Sequence, residues 1–412
     1  MTIIFQQRYN FFLITIFILG LILRIYLARL AYPDLIWDMA SYNDIAGNIV
    51  KGQIFTDCCD KNPGYPLFLA ANYKIFGVEN LAAIKHVQVG MDMITCVLVF
   101  LVARRLFSLK TAFLAFVIYA LNPIVASFTG FILPETITLL FMGLAAFIMT
   151  HPLFKKNILL IVSWGFVLGF MALQRFSLVP FGIFIILLFG IIFFKKSRMT
   201  FLILAFSGFF LANSYSLIAN WKMFKKIDLT PPYKPGVINF YLSFYLGKYP
   251  ELISEYPQQN RHFYDVNLEY HTTWYTGIDA VKNKYKILFW QKMRTEWPDF
   301  IKNTLKNMWH IWQKRFLFTY KDPFYPADSM AIRVYNLGLV FSFLFGLISF
   351  ILQKKQNLFN PLSVFSLLLF FYITFVFTLI SNETRHSLIF YSLMPIWSAY
   401  GLRKIYEKKF NA

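Results

Sequence analysis

Ten stretches of roughly twenty apolar residues run through the chain, at about 10–30, 84–103, 110–127, 131–150, 157–174, 177–194, 200–220, 332–352, 360–380 and 386–405. A helix needs about 20 such residues to cross the hydrocarbon core of a bilayer, and only helices or closed barrels satisfy their backbone polar groups there. The pattern predicts an all-α polytopic membrane protein with about ten transmembrane helices. Composition agrees. Of the 412 residues, 58% are hydrophobic and only 15% charged, where a soluble domain carries about 25% charge. The first stretch could be mistaken for a secretory signal. It is too long for one, contains Arg24 and Arg29, and lacks a small-residue cleavage site, so it reads as a retained helix.

The formal charge of +20 invites a nucleic-acid reading, but its placement points to topology instead. Arg104-Arg105 with Lys110, Lys155-Lys156, Lys195-Lys196 with Arg198, Lys354-Lys355 and the tail from Arg403 to Lys409 fall in alternate links. By the positive-inside rule these links and both termini are cytoplasmic, in the plasma (inner) membrane. Nucleic acid is not expected as a partner. Two long loops, 31–83 and 221–331, then lie outside. They divide the chain into a core at 1–220, an outer loop at 221–331 and a C-terminal part at 332–412.

The first outer loop carries the polar residues of interest. From Asp38 onward, Met39, Tyr42, Ile45, Ala46 and Ile49 recur at helical spacing, opposite Asn43, Asp44, Gly47 and Asn48. This predicts an amphipathic helix lying on the membrane surface. Asp38 at its start is either a helix cap or a functional carboxylate. Lys61 precedes a Pro63-Gly64 turn and is either a snorkelling lysine or a binder of lipid phosphate. Asp92 and Arg24 both fall in the outer half of the bilayer, where a charge needs a partner, and are expected to pair with each other. Cys96 reads as a small apolar helix residue. Asp57, Cys58, Cys59 and Asp60 are ligand types, but their consecutive order is wrong for a zinc site. In the second loop, 239–247 and 302–318 read as interfacial helices, the latter with Trp309 and Trp312 in the headgroup belt.

Asp38-x-x-x-Tyr42, Lys61-Asn-Pro-Gly-Tyr65-Pro-Leu-Phe-Leu-Ala, Ala103-Arg-Arg-Leu-Phe, Leu121-Asn-Pro and Leu133-Pro-Glu135-Thr follow in order. Together they resemble the GT-C glycosyltransferases of the protein O-mannosyltransferase and lipid A aminoarabinose transferase type. The segment from Arg385 to Pro395 resembles that family's last helix. The resemblance covers about the first 180 residues, and the 221–331 loop has no counterpart in it. It implies a GT-C fold and a membrane enzyme, hexosyl- or pentosyltransferase, that takes a sugar from a polyprenyl-phosphate donor on the outer face. The acceptor would be an envelope glycan, a lipid or a protein.

Residue by residue, the resemblance implies catalytic carboxylates at Asp38 and Glu135 and a donor-phosphate ligand at Lys61. Arg175 and Arg385 are expected to join Lys61 over the phosphate, and Tyr42, Asp44, Tyr65 and His386 are substrate-binding candidates. Family members often carry two adjacent acids where this chain has Asp38-Met39. That leaves open whether Asp38 acts alone or with Glu135 or Asp44. No cofactor is called for by the residues, although a divalent metal is compatible with the chemistry. A carboxylate serves as general base towards a hydroxyl acceptor, and a cation stabilises the departing phosphate. One displacement would invert the anomeric carbon. The rival class, a flippase or transporter of lipid-linked sugars, should show internal repeats and broken helices at the midplane, and no repeat is visible. An inactive envelope scaffold leaves Asp38, Lys61 and Glu135 unexplained.

The topology is directly testable. With the native Cys58, Cys59 and Cys96 replaced, cysteines placed in 31–83 or 221–331 should react with an impermeant reagent added outside whole cells, whereas Lys155→Cys and Lys354→Cys should not. The reverse labelling pattern would overturn the orientation and, with it, an outer-face site.

Overall fold

The computed structural model describes residues 2–31, 34–35, 38–54, 61–230, 278–314, 317, 329–380 and 384–410. Among them the chain is helical throughout, with no strand. The first half runs α1 (Thr2–Leu30), α2 (Asp38–Val50), α3 (Gly64–Phe76), α4 (Leu81–Leu106), α5 (Leu109–Ala120), α6 (Pro123–Phe128), α7 (Glu135–Met149) and α8 (Ile158–Gln174). It continues through α9 (Val179–Ile192), α10 (Arg198–Ala212) and α11 (Ser214–Phe224). Beyond the second loop come α12 (Ile278–Thr295), α13 (Trp297–His310), α14 (Met330–Gln353), α15 (Pro361–Tyr372) and α16 (Met394–Phe410).

Tyr9–Leu30, α4 and α14 are long and apolar enough to cross a membrane. The pair α10 and α11, bent by 59°, makes a fourth if it is one span. Five further apolar helices are shorter. Several of the expected apolar stretches are interrupted or shortened, and the interruptions have local causes. Asn122 ends α5, accepts from the N–H groups of Ile124 and Val125, and starts α6 with Pro123 in its first turn. Pro134 stands immediately before Glu135, so α7 begins at the carboxylate. The expected last span at 386–405 opens instead with a 3-10 segment, Thr384–Phe390, and becomes α-helical only at Met394.

Close helix pairing relies on small residues, as expected where lipid replaces the hydrophobic drive between helices. A Cβ added at Gly165 would fall 2.0 Å from the Ala205 carbonyl oxygen, and one at Gly208 would fall 2.1 Å from that of Val162. α8 and α10 thus meet backbone to backbone.

The expected Arg24–Asp92 pair is present between α1 and α4, both side chains fully buried, with Nε 2.6 Å from Oδ2. Tyr119 of α5 donates to the other carboxylate oxygen at 2.5 Å. The guanidinium donates further to the carbonyls of Gly20, Ala120 and Tyr119. Every charge is thereby paired and hydrogen-bonded, and three helices are tied at one depth.

Two expectations change. Asn43 is not on the polar face of α2. It is buried, accepting from the Tyr73 hydroxyl at 2.6 Å and donating to Glu79 at 3.2 Å, so it fastens α2 to α3. Trp312 is not in a headgroup belt. It is 3% exposed, stacks on Phe370 and donates to Thr374. Trp309 is exposed. Residues 57–60 and 239–247 lie outside the described residues.

Breaking a buried pair from one side leaves an uncompensated charge, which typically costs about 3–5 kcal/mol. Arg24→Met should lower the thermal stability of the detergent-solubilised protein accordingly, and Arg24→Met with Asp92→Leu should recover much of the loss. A double variant as unstable as the two single losses added would show that the pair has no mutual role.

Candidate active site

Asp38 is the first residue of α2, and the apolar face behind it (Met39, Tyr42, Ala46, Ile49) is buried. That packing sets the angle at which the carboxylate is presented. Oδ1 lies 2.8 Å from Lys61 Nζ, and Oδ2 lies 2.8 Å from Arg385 Nη2. The side chains are 28%, 21% and 21% exposed, so these ion pairs sit at the edge of the packed structure. Among the described residues, the hydrogen bonds to its carboxylate come from these two cations and not from a backbone N–H of α2. Burial pushes its carboxyl up, but the charges of Arg385 and Lys61 outweigh this and hold it well below the usual carboxylate range. Asp38 is an anion at any physiological pH.

Lys61 is positioned by its neighbour. Asn62 donates to the Gln174 carbonyl at 2.7 Å and accepts from the Phe176 N–H at 3.3 Å, bridging the turn before α3 to the link after α8. Gly64 is required at the same place. A Cβ there would meet Gln174 Nε2 at 2.6 Å and the Leu173 carbonyl oxygen at 2.8 Å. Lys61 and Arg175 are thereby brought together across the chain by a local Asn-Pro-Gly turn.

Arg175 pairs with Glu135, one N–H donating to Oε1, and both residues are buried. In this structure one of its N–H groups goes to the first carboxylate of α7, while its Nε has no hydrogen-bond partner. Arg385 comes from the 3-10 segment Thr384–Phe390, which is pinned two residues on. Ser387 donates to the Ile311 carbonyl at 2.6 Å, and the buried Lys314 donates to Ser387 at 3.0 Å. His386 is buried against the Phe377 ring.

Tyr42 links the two ion pairs. Burial, then the charges of Asp38 and Glu135, raise its hydroxyl, while Arg385 and Arg175 act in the opposite sense. All four charges therefore lie within electrostatic reach of one side chain. Its ring meets Tyr65 edge-on at 5.2 Å, and Tyr65 donates to Gln88, which in turn holds the Thr129 and Phe131 carbonyls. These tyrosines are wall rather than surface. Asp44 is exposed on the far side of α2. Lys61, Arg175 and Arg385 against Asp38 and Glu135 leave one net positive charge, in an arrangement of ion pairs. No three of His, Cys, Asp and Glu converge as metal ligands among the described residues.

The resemblance read from the motifs is matched by the comparisons. The sequence model of the dolichyl-phosphate-mannose-protein mannosyltransferase family matches residues 60–217, a segment that holds Lys61, Glu135 and Arg175. No curated protein matches the chain by sequence. The fold is similar to that of the Archaeoglobus fulgidus oligosaccharyltransferase in its apo form, with 13% identity and a TM-score of 0.56 over 96% of this chain and 51% of that one. The same enzyme tethered to an acceptor peptide gives 13% and 0.56, over 97% of this chain and 50% of that one. In complex with an inhibitory peptide and a dolichol-phosphate, archaeal oligosaccharyltransferase from that organism gives 12% and 0.54, over 97% and 51%. The chain spans about half the length of these structures, and at such identities the likeness is one of fold. The chain has the helical fold seen in these structures, and its 60–217 segment matches the sequence pattern of the dolichyl-phosphate-mannose-protein mannosyltransferases.

Proposed function

We propose that this chain is a glycosyltransferase that moves a sugar from a polyprenyl-phosphate donor to an envelope glycan, lipid or protein acceptor on the outer face of the plasma membrane. The observation that carries the reading is the carboxylate of Asp38 held between Lys61 and Arg385 at 2.8 Å each, beside a second carboxylate, Glu135. A phosphate monoester or diester offers the two cations a better counter-ion than a single carboxylate, and the site has the spare positive charge to take it. The Leu133-Pro-Glu135 and Lys61-Asn-Pro-Gly motifs inside the matched segment support the same class.

The charges then do two jobs in turn. Without donor, Asp38 neutralises Lys61 and Arg385. When the donor phosphate draws these cations towards itself, the carboxylate loses the partners that hold it acidic, and its proton affinity rises. Asp38 then accepts the proton of the acceptor hydroxyl as its oxygen attacks the anomeric carbon. The bond from that carbon to the phosphate oxygen breaks, and the electron pair stays on the polyprenyl phosphate, where Lys61 and Arg385 meet the growing charge. A single displacement inverts the anomeric centre. The core at 1–220 supplies Asp38, Lys61, Glu135 and Arg175, and the part at 332–412 supplies Arg385.

Two substitutions test this. In Asp38→Asn the amide cannot accept a proton, and transfer to acceptor should fall by about 10²–10⁴, while donor binding persists. Lys61→Ala removes one charge-assisted contact, worth about 1.5–3 kcal/mol, so donor affinity should drop roughly ten- to a hundredfold. Transfer at the wild-type rate by a folded Asp38→Asn protein would remove Asp38 from catalysis. Unchanged donor affinity in Lys61→Ala would return that lysine to a purely structural pairing.

A further inference from the structure

Four polar atoms beside the ion cluster have no hydrogen-bond partner although they are buried: Glu135 Oε2, Arg175 Nε, and both Oε1 and Nε2 of Gln174. Their residues are 1%, 7% and 0% exposed. Buried polar groups in native proteins are nearly always paired, so an unpaired group at such a place requires an explanation. Here the unpaired atoms are concentrated. Glu135 and Arg175 are bonded to each other, Gln174 precedes Arg175 in the chain, and its carboxamide lies against Gly64 at the start of α3. Asn62, which grips the backbone of Gln174 and Phe176, joins this cluster to Lys61.

We propose that Glu135, Gln174 and Arg175 form a subsite for the hydroxyl groups of the sugar carried by the donor lipid, with Gln174 as its specificity-determining residue. The inference rests on the transferase reading of the neighbouring ion pairs. It is carried by the kind of atoms left unpaired. Two are acceptors, Glu135 Oε2 and Gln174 Oε1, and two are donors, Gln174 Nε2 and Arg175 Nε. A phosphate only accepts and would face the Glu135 carboxylate. An ammonium only donates and would face Arg175. An apolar chain satisfies none of the four. A hydroxyl both donates and accepts, and a pair of hydroxyls on adjacent carbons uses one acceptor and one donor each. The subsite adjoins Lys61 through Asn62, whose side chain bonds the backbone on both sides of Arg175. All three residues are buried, so entry of the sugar requires the Gln174 carboxamide, which no hydrogen bond restrains, to turn aside.

The same fact makes a clean test. Gln174→Met keeps volume and removes no hydrogen bond within the protein, so a structural role predicts unchanged or higher thermal stability and no change in ligand preference. The full chain in lipid nanodiscs is titrated with decaprenyl phosphate and with the same lipid phosphate bearing mannose, glucose or arabinose. Wild type should bind at least one glycosylated lipid about tenfold more tightly than the bare one. Gln174→Met should lose about five- to tenfold on that lipid alone, the scale of a neutral hydrogen-bonding group, with affinity for decaprenyl phosphate intact. Gln174→Asn, which withdraws the amide by one methylene, should show the same selective loss. Full retention of the preference in both variants overturns the subsite, and so does an equal loss on bare and glycosylated lipids. A wild-type protein that binds lipid phosphates without preferring glycosylated ones overturns the subsite only. One that binds none of them overturns the transferase reading itself.

Discussion

Both oxygens of one carboxylate, Asp38, are held by cations from opposite ends of the chain, Lys61 and Arg385. Much of the surrounding architecture has the consequence of keeping these three groups in register. The buried face of α2 sets the carboxylate, the Asn62 bridge sets the lysine, and the Ser387 and Lys314 bonds set the 3-10 segment that presents the arginine. The partial exposure of the triad matters as much as its geometry. A surface-edge pair contributes little net stability, which suits the proposed passage of its cations from the carboxylate to an incoming phosphate.

The Arg24–Asp92 pair shows what the same chemistry does when sealed. Both side chains are fully buried, and three further guanidinium bonds go to carbonyls of α1 and α5. Such a pair exchanges with nothing without a large desolvation penalty. It joins α1, α4 and α5, and it belongs to the scaffold. Exposure separates a working ion pair from a permanent one in this molecule, and sequence carries only an indirect trace of exposure.

That trace was enough for some residues. Depth along two predicted helices placed Arg24 opposite Asp92, and helical spacing from Asp38 put Met39, Tyr42, Ala46 and Ile49 on one face. Other features depend on contacts between distant segments, and periodicity cannot show them. Asn43 reads as polar and outward until Tyr73 and Glu79 are found beside it. Trp312 has the look of an interface anchor, yet Phe370 and Thr374 wait for it in the core. Apolar length alone counted ten spans, because hydropathy does not register the stops at Asn122 and Pro134 or the 3-10 turn at Thr384. The pairing of Arg175 with Glu135 joins the link after α8 to the start of α7, 40 residues apart, and had no local signal. The Asn-Pro-Gly turn was visible, but its use, holding Gln174 and Phe176 against Lys61, was not.

The two carboxylates of the site consequently stand in unlike surroundings. Asp38 spends both oxygens on cations and keeps a path to solvent, whereas Glu135 spends one on Arg175 and holds the other buried and unpaired. On the proposed reading, Asp38 gains proton affinity only when a competing anion draws Lys61 and Arg385 away, which would make its action conditional on donor phosphate. A group with one spare acceptor is available at all times, but only to something that can donate a hydrogen bond within a closed, largely apolar wall. Conditional release fits a base that should not act before the donor arrives. Standing availability fits recognition. The absence of a second acid next to Asp38, where Met39 instead packs into the core beneath α2, is consistent with that division: the second carboxylate is supplied by α7, and its different surroundings allow it a different task.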